Sequence, residues 1–254
     1  MLTKTLQHIF QEVKNTDKNY RSIMDNDLTT YPIPFFGNIE TARVLTVGVN
    51  PSREEFDLDR GWPNEMKFED WKNRLINYFS DQRHHMWFDK WEEALGVLGV
   101  SYFDNTAAHL DLSLRPTFSM SSLKGERANL FGQMLESDIK WLFELFPFCK
   151  EAKLIILAGT PVKNLYMNQF IKKNAKRFGF ELTGDFKGTR KPGKAKTDFH
   201  SLISEEFSFK RPVFFCSSSP SDRDPETPPE ETGKETWISL RIEEHKDKLI
   251  SHLR

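Results

Sequence analysis

The sequence predicts an α/β fold in which a mostly parallel sheet carries helices on both faces. Three observations lead there. Short, nearly all-apolar runs have the length and composition of strands buried on both faces. Between them lie segments whose apolar residues recur at three- and four-residue steps, the period of an amphipathic helix. Each strand-like run also ends in a polar, turn-forming cluster, and folds of this class place their sites at the carboxyl ends of the strands.

Leu2, Leu6, Ile9, Phe10 and Val13 lie on one face of an opening helix, expected over 2–14. After the turn-like Tyr31-Pro32-Ile33-Pro34, the run from Arg43 to Val49 is the first strand and ends at Asn50-Pro51-Ser52. Ser52 followed by Glu55 has the form of a capping box, so a helix is expected to start there. Trp87, Phe88, Trp91, Leu95 and Leu98 form a second helical stripe. Ser101-Tyr102-Phe103 then leads as a second strand into Asp104-Asn105-Thr106. Leu130, Phe131, Met134, Leu135, Leu142, Leu145 and Phe146 trace a long helix closed near Pro147, and Lys153 to Ala158 is the third strand. Thr160 and Pro161 suit the N-cap and first position of another helix, with Val162, Leu165, Tyr166 and Phe170 as its apolar face. Pro212 to Cys216 is the fourth strand and delivers the chain into Ser217-Ser218-Ser219-Pro220-Ser221. The prolines and acidic residues from Asp222 to Glu231 predict an exposed loop, taken as 222–235, before a last helix over 236–253 that contains Trp237, Leu249 and Leu253.

Composition narrows the function classes. With 254 residues, 38% of them hydrophobic, the chain is long enough to bury a real core, and without a polar linker before residue 220 a single domain over 1–254 is expected. The formal net charge of -1 means that a polyanion must be met by a local basic patch. Two cysteines, Cys149 and Cys216, supply neither a disulfide framework nor the four thiolates of an iron-sulfur cluster. No segment approaches the roughly 20 apolar residues of a membrane span, so a soluble, cytoplasmic monomer with no membrane partner is expected. Neither a Gly-x-Ser-x-Gly elbow nor a Walker-type loop occurs.

Three strand ends concentrate the chemistry: Gly48-Val49-Asn50-Pro51-Ser52, Asp104-Asn105-Thr106 and Ser217 to Ser221. Gly48 permits close backbone approach, and Asn50 offers one acceptor and two amide donors. In this order and strand context the three motifs resemble the uracil-DNA glycosylase superfamily. Gly48-Val49-Asn50-Pro51 is similar to the Gly-x-Asn-Pro motif of its mismatch-specific and single-strand-selective branches. Asn105 resembles the base-reading asparagine, and Ser217, Ser218, Ser219 and Pro220 resemble the Ser-Pro-containing closing motif. The resemblance implies a three-layer α/β/α sandwich around a four-stranded, mostly parallel sheet. It further implies hydrolysis of the N-glycosidic bond of an extruded uracil or related deaminated or mismatched base in DNA, single-stranded or mismatched duplex, with no metal and no cofactor. In that reading Asn50 positions the water, Ser217 supports catalysis, and Asn105 reads the base edge with Gly48, Val49, Pro51, Ser52, Ser218, Ser219 and Pro220 around it.

The sequence departs from the resemblance at two positions. Asn50 stands where the most active branch carries an aspartate, and an amide is no general base. The closing motif lacks the histidine of the classical branch, and His109 is the substitute proposed for holding the leaving base. Lys187, Arg190, Lys191 and Lys194 form a basic, Gly- and Pro-containing stretch suited to phosphate contacts, extended in principle by Arg115, Lys124 and Arg127. The acidic 222–235 segment opposes DNA at that side. Two competing readings are a catalytically silent base- or nucleic-acid-binding module of the same fold, and a metal-assisted hydrolase built on His109 and Asp111, which share one side of extended chain.

Overall fold

The structure, a computed structural model, describes residues 1–24, 31–56, 62, 65–80, 84–118, 123–161, 165–184, 195–219 and 236–254, with the side chains of 13–17 left aside. The α/β class holds, and the sheet is larger than expected. Among the described residues there are seven strands: β1 (Phe35–Phe36), β2 (Val44–Gly48), β3 (Ala107–Asp111), β4 (Leu154–Ala158), β5 (Glu181–Thr183), β6 (Thr197–Ser204) and β7 (Phe209–Cys216). They lie in the order β1-β3-β2-β4-β7-β6-β5. β3, β2, β4 and β7 pair in parallel, whereas β1, β6 and β5 join antiparallel, so the sheet is mixed.

Burial explains why the middle strands were readable. Every residue of β2, β3 and β4 is buried, as strands covered on both faces require. The second strand is nonetheless a correction. Ser101 to Thr106 is a turn rather than a strand. The Asp104 carboxylate accepts from the Thr106 amide at 2.8 Å, and Asn105 has a left-handed φ of 61°. Glu92 holds the start of this turn, accepting from the Tyr102 amide at 2.6 Å and the Ser101 hydroxyl at 2.7 Å. The strand proper begins only at Ala107.

Helices α1 (Leu2–Thr16), α2 (Phe68–Ile76), α3 (Trp87–Val97), α4 (Glu126–Leu145), α5 (Met167–Ala175), α6 (Trp237–Glu244) and α7 (Lys246–Leu253) complete the fold. α1, α3 and α4 follow the apolar stripes of the sequence. The capping box at Ser52 makes no α-helix. A single 3-10 turn over Arg53–Phe56 follows, and Glu55 is buried, accepting a short hydrogen bond from the Tyr78 hydroxyl instead of capping. α5 starts at Met167 rather than at Pro161; Gln169 reaches back to the Tyr166 amide at 3.1 Å, and Val162 lies outside the described residues. The closing helix is broken at His245 into α6 and α7. The acidic 222–235 segment lies outside the described residues. Among the described residues no helix is long and apolar enough to cross a membrane.

One contiguous core, from Leu6 on α1 to Leu253 on α7, packs the helices on the sheet. A polar device crosses it. Arg115, 3% exposed, pairs closely with Asp138 of α4, which also accepts from the Ser113 hydroxyl at 2.6 Å. The guanidinium stands 5.0 Å from the Tyr20 ring centroid. Removing one partner leaves a buried, uncompensated charge. Asp138→Ala is therefore expected to lower unfolding free energy by about 3–5 kcal/mol, read from urea denaturation, and a loss well below 1 kcal/mol would show that water reaches the pair.

Candidate functional site

β2, β3, β4 and β7 run in the same direction, so their carboxyl ends open on one side of the sheet. A cavity of about 540 Å³ lies there, within the range of small-molecule sites. Gly48 and the loop through Val49, Asn50, Pro51 and Ser52 line it from β2, His109 and Asp111 from β3. Ala158, Gly159 and Thr160 line it after β4, and Ser217 and Ser219 after β7. Aromatic rings of Phe36, Trp87, Phe88, Trp91 and Phe118 supply apolar surface, and Glu55 and Thr117 contribute further polar groups. Glu54 and His85, which also line it, form a 2.7 Å pair whose carboxylate side chain is 58% exposed.

Register creates the polar center. Gly48 pairs with Asp111 across the parallel ladder, and His109, two residues earlier, shares the face of Asp111. A β-carbon on Gly48 would stand 2.6 Å from Asp111 Oδ1 and 2.8 Å from His109 Nε2, so only glycine leaves room for both. His109 Nδ1 lies 2.6 Å from the Thr46 hydroxyl, which is 2.5 Å from the Tyr102 hydroxyl. Burial pushes the Tyr102 pKa well up, so this phenol keeps its proton and donates. Of the two acceptors within reach of the Thr46 hydroxyl, His109 Nδ1 at 2.6 Å is closer than Ala108 O at 3.4 Å, and donation to Nδ1 leaves Nε2–H to face Asp111 Oδ1 at 3.3 Å. Both His109 and Asp111 are buried, and the second oxygen of Asp111 has no partner among the described residues. Trp87 and Phe88 meet the imidazole edge-to-face at 5.1 and 5.4 Å.

The Asn50 loop is zipped to the segment that follows β3. Leu112, Ser113 and Thr117 donate backbone amides to Gly48, Val49 and Pro51, and Arg53 donates to Thr117. The Asn50 amide nitrogen donates to Pro51 O at 2.8 Å and Thr117 Oγ1 at 2.9 Å, with Arg115 O at 3.4 Å. Its two hydrogens are thereby committed, and its oxygen has no partner among the described residues. The wall carrying Asn50 is thus tied through Arg115 to Asp138.

The structure brings Gly48, Val49, Asn50, Pro51, Ser52, His109, Ser217 and Ser219 to the cavity. Ser218 is buried beside them in the chain and does not line it. The Ser217 hydroxyl accepts from the Lys196 amide at 2.8 Å, extending the β6–β7 ladder. Asn105 is the clear correction. It precedes β3, at the amino ends of the parallel strands, and does not line the cavity, because the strand expected to end there starts there. Asp111 occupies the strand end assigned to it. Pro220, Lys187, Arg190, Lys191 and Lys194 lie outside the described residues. Sequence reasoning assigned Asp111 only as half of a metal pair and missed Glu55, Trp87 and Trp91 as lining groups. The i, i+2 spacing of His109 and Asp111 was the usable signal. Among the described residues no group of three or more His, Cys, Asp or Glu is placed to hold a metal ion. The chain matches no protein-family model, and no curated protein matches it.

The dependence on a bare position 48 is open to test. Gly48→Ala is expected to cost about 1–3 kcal/mol of stability by overpacking and to shift the imidazole resonances of His109. Unchanged stability and spectrum would mean that His109 and Asp111 yield at no cost.

Proposed function

We propose that this protein hydrolyses the N-glycosidic bond of a damaged, deaminated or mismatched base swung out of DNA. The observation that carries this reading is the convergence of Asn50, the His109-Asp111 pair and the Ser217–Ser219 strand end on one aromatic-lined cavity. A base cannot react inside the stack, and extrusion costs about a few kcal/mol, least for a mispaired or damaged base. Aromatic rings at the cavity return part of that cost by receiving the planar heterocycle.

In the reaction the bond from C1′ to the base nitrogen breaks, the base departs with the electron pair, and water oxygen bonds to C1′. The free side-chain oxygen of Asn50 accepts a hydrogen bond from that water and aims it. An amide does not take the proton, which leaves to solvent as the oxygen adds, so hydrolysis is slower than with a carboxylate at this position. Ser217, whose oxygen already holds the Lys196 amide, keeps its hydroxyl proton for the departing base or the phosphate beside it. A three-layer arrangement around the four parallel strands is the architecture this reading carries with it.

A silent base-binding module is the second reading, favoured by the absence of a proton-accepting group at Asn50. One experiment separates the two. Oligonucleotides bearing uracil, hypoxanthine, xanthine, mismatched thymine or 7-methylguanine, single-stranded and duplex, are incubated with pure protein and abasic sites are scored after alkali. The wild type is expected to generate them on at least one substrate, and Asn50→Ala to lose at least 100-fold in rate, on the order of one removed transition-state contact. Intact substrates throughout, or equal cutting by the variant, rejects the hydrolase assignment.

The basic stretch enters this reading through the chain itself. Lys194 lies two residues before Lys196, whose backbone pairs with Ser217 at the cavity. Neutralising Lys191 and Lys194 is expected to weaken DNA binding for all sequences alike and to lower the log-log salt slope by about one per lost phosphate contact. Fluorescence anisotropy at several salt concentrations measures this, and an unchanged slope removes the segment from the interface.

A further inference from the structure

Most side-chain donors at the cavity are spent within the protein, the Ser217 hydroxyl proton being the exception. Both amide hydrogens of Asn50 are spent on the loop wall. His85 Nδ1 accepts from the Trp87 amide at 3.0 Å, so its remaining N–H serves Glu54. The Thr117 hydroxyl accepts from Asn50 and donates to Phe118 O at 3.1 Å. No lysine or arginine is among the described lining residues. Against these committed donors stand acceptors: the Asn50 oxygen and, above all, Asp111. Asp111 is 3% exposed, lines the cavity and has one oxygen without a partner among the described residues.

Resting on the reading of this cavity as a base pocket, we infer that Asp111 selects heterocycles presenting two adjacent N–H donors, a ring N–H beside an exocyclic amine as on guanine, and rejects uracil. The unpartnered oxygen accepts one N–H of such an edge, and Oδ1, which already faces His109 Nε2–H, accepts the second through its remaining lone pair. On its Watson–Crick edge uracil offers a single N–H flanked by two carbonyl oxygens, so a carboxylate that accepts that N–H faces at least one repelling oxygen. An asparagine at the same place would present one donor and one acceptor and match uracil instead. Position 111 is therefore the specificity switch, and the uracil expectation drawn from the sequence depended on an asparagine, Asn105, that is not in the cavity.

Isocytosine and uracil isolate the effect, since they share one ring and differ in the donor edge. Titrated calorimetrically as free bases into the full chain, isocytosine is expected to bind at least tenfold more tightly than uracil. Asp111→Asn, checked for retained circular dichroism and melting temperature, is expected to lose that preference or invert it. Should the variant fail to fold, the wild-type preference still decides. Uracil binding as tightly as isocytosine overturns the role of Asp111 while leaving a base pocket standing. Binding of neither overturns the inference and the base pocket with it, and a preference that survives Asp111→Asn assigns the selection to another residue. Abasic-site formation is a separate readout, so loss of the hydrolase reading does not pass for loss of this one.

Discussion

A missing β-carbon organises the candidate site. The parallel register of β2 and β3 sets Gly48 opposite Asp111, and the space a side chain would fill at Gly48 is taken by the Asp111 carboxylate and the His109 imidazole. Neither group has another route into the cavity, since both are fixed by the pleat of a strand whose five residues are all buried. The glycine therefore serves as a socket rather than as a flexible hinge. Its backbone carbonyl still accepts from Leu112, so the strand continues its pairing past the point where the ligand space begins.

Two supports hold that socket. From below, Tyr102 and Thr46 form a donor chain that fixes the imidazole tautomer and orients Nε2–H toward Asp111. From the side, the Arg115–Asp138 pair anchors the segment to which Asn50 is zipped. A buried ion pair is not by itself a stabilising choice compared with apolar packing, because desolvation offsets most of the attraction. What it does supply is a directional tie between α4 and a loop whose backbone must remain in one register for Asn50 to keep its oxygen free.

The sequence was legible where periodicity decides. α1, α3, α4, β2, β4 and most of β7 follow from apolar spacing, because each buries one face or both against the same core. β3 was not legible. Ala107-Ala108-His109-Leu110-Asp111 has no β-branched residue, and its burial is decided by its neighbours β1 and β2, which local sequence does not reveal. The aromatic run Ser101-Tyr102-Phe103 drew the strand one element too early, and Asn105 with it. The β6 strand Thr197–Ser204 mixes buried Asp198, Leu202 and Ser204 with half-buried residues, a pattern without clean alternation. In the site, Asn50 and the Ser217 strand end were singled out because turn chemistry marks strand ends, and His109 through its spacing to Asp111 and the histidine missing from the closing motif. Glu55 was misread because a Ser-x-x-Glu pattern states a capping tendency, whereas the buried Tyr78 hydroxyl offered its carboxylate a better partner.

The balance of charge decides which leaving group such a cavity favours. A base that departs as an anion, as uracil does, acquires negative charge beside an acceptor-lined wall. Two like charges about 4 Å apart at an effective dielectric constant of about 20 repel by about 4 kcal/mol, roughly three powers of ten in rate. Donors at the site would have to offset that, yet the amide hydrogens of Asn50 and the His85 N–H are already engaged within the protein, which leaves the single hydroxyl of Ser217. A purine carrying extra positive charge, such as an N7-alkylated guanine, departs neutral and reverses the sign: the carboxylate then stabilises the bound base, and the rings of Trp87 and Trp91 add attraction between a cation and an aromatic face. On the proposed reading, the same Asp111 that a uracil-specific site would have to exclude becomes the group that holds the substrate, and Asn50 needs only to guide water toward a sugar whose leaving group is already activated.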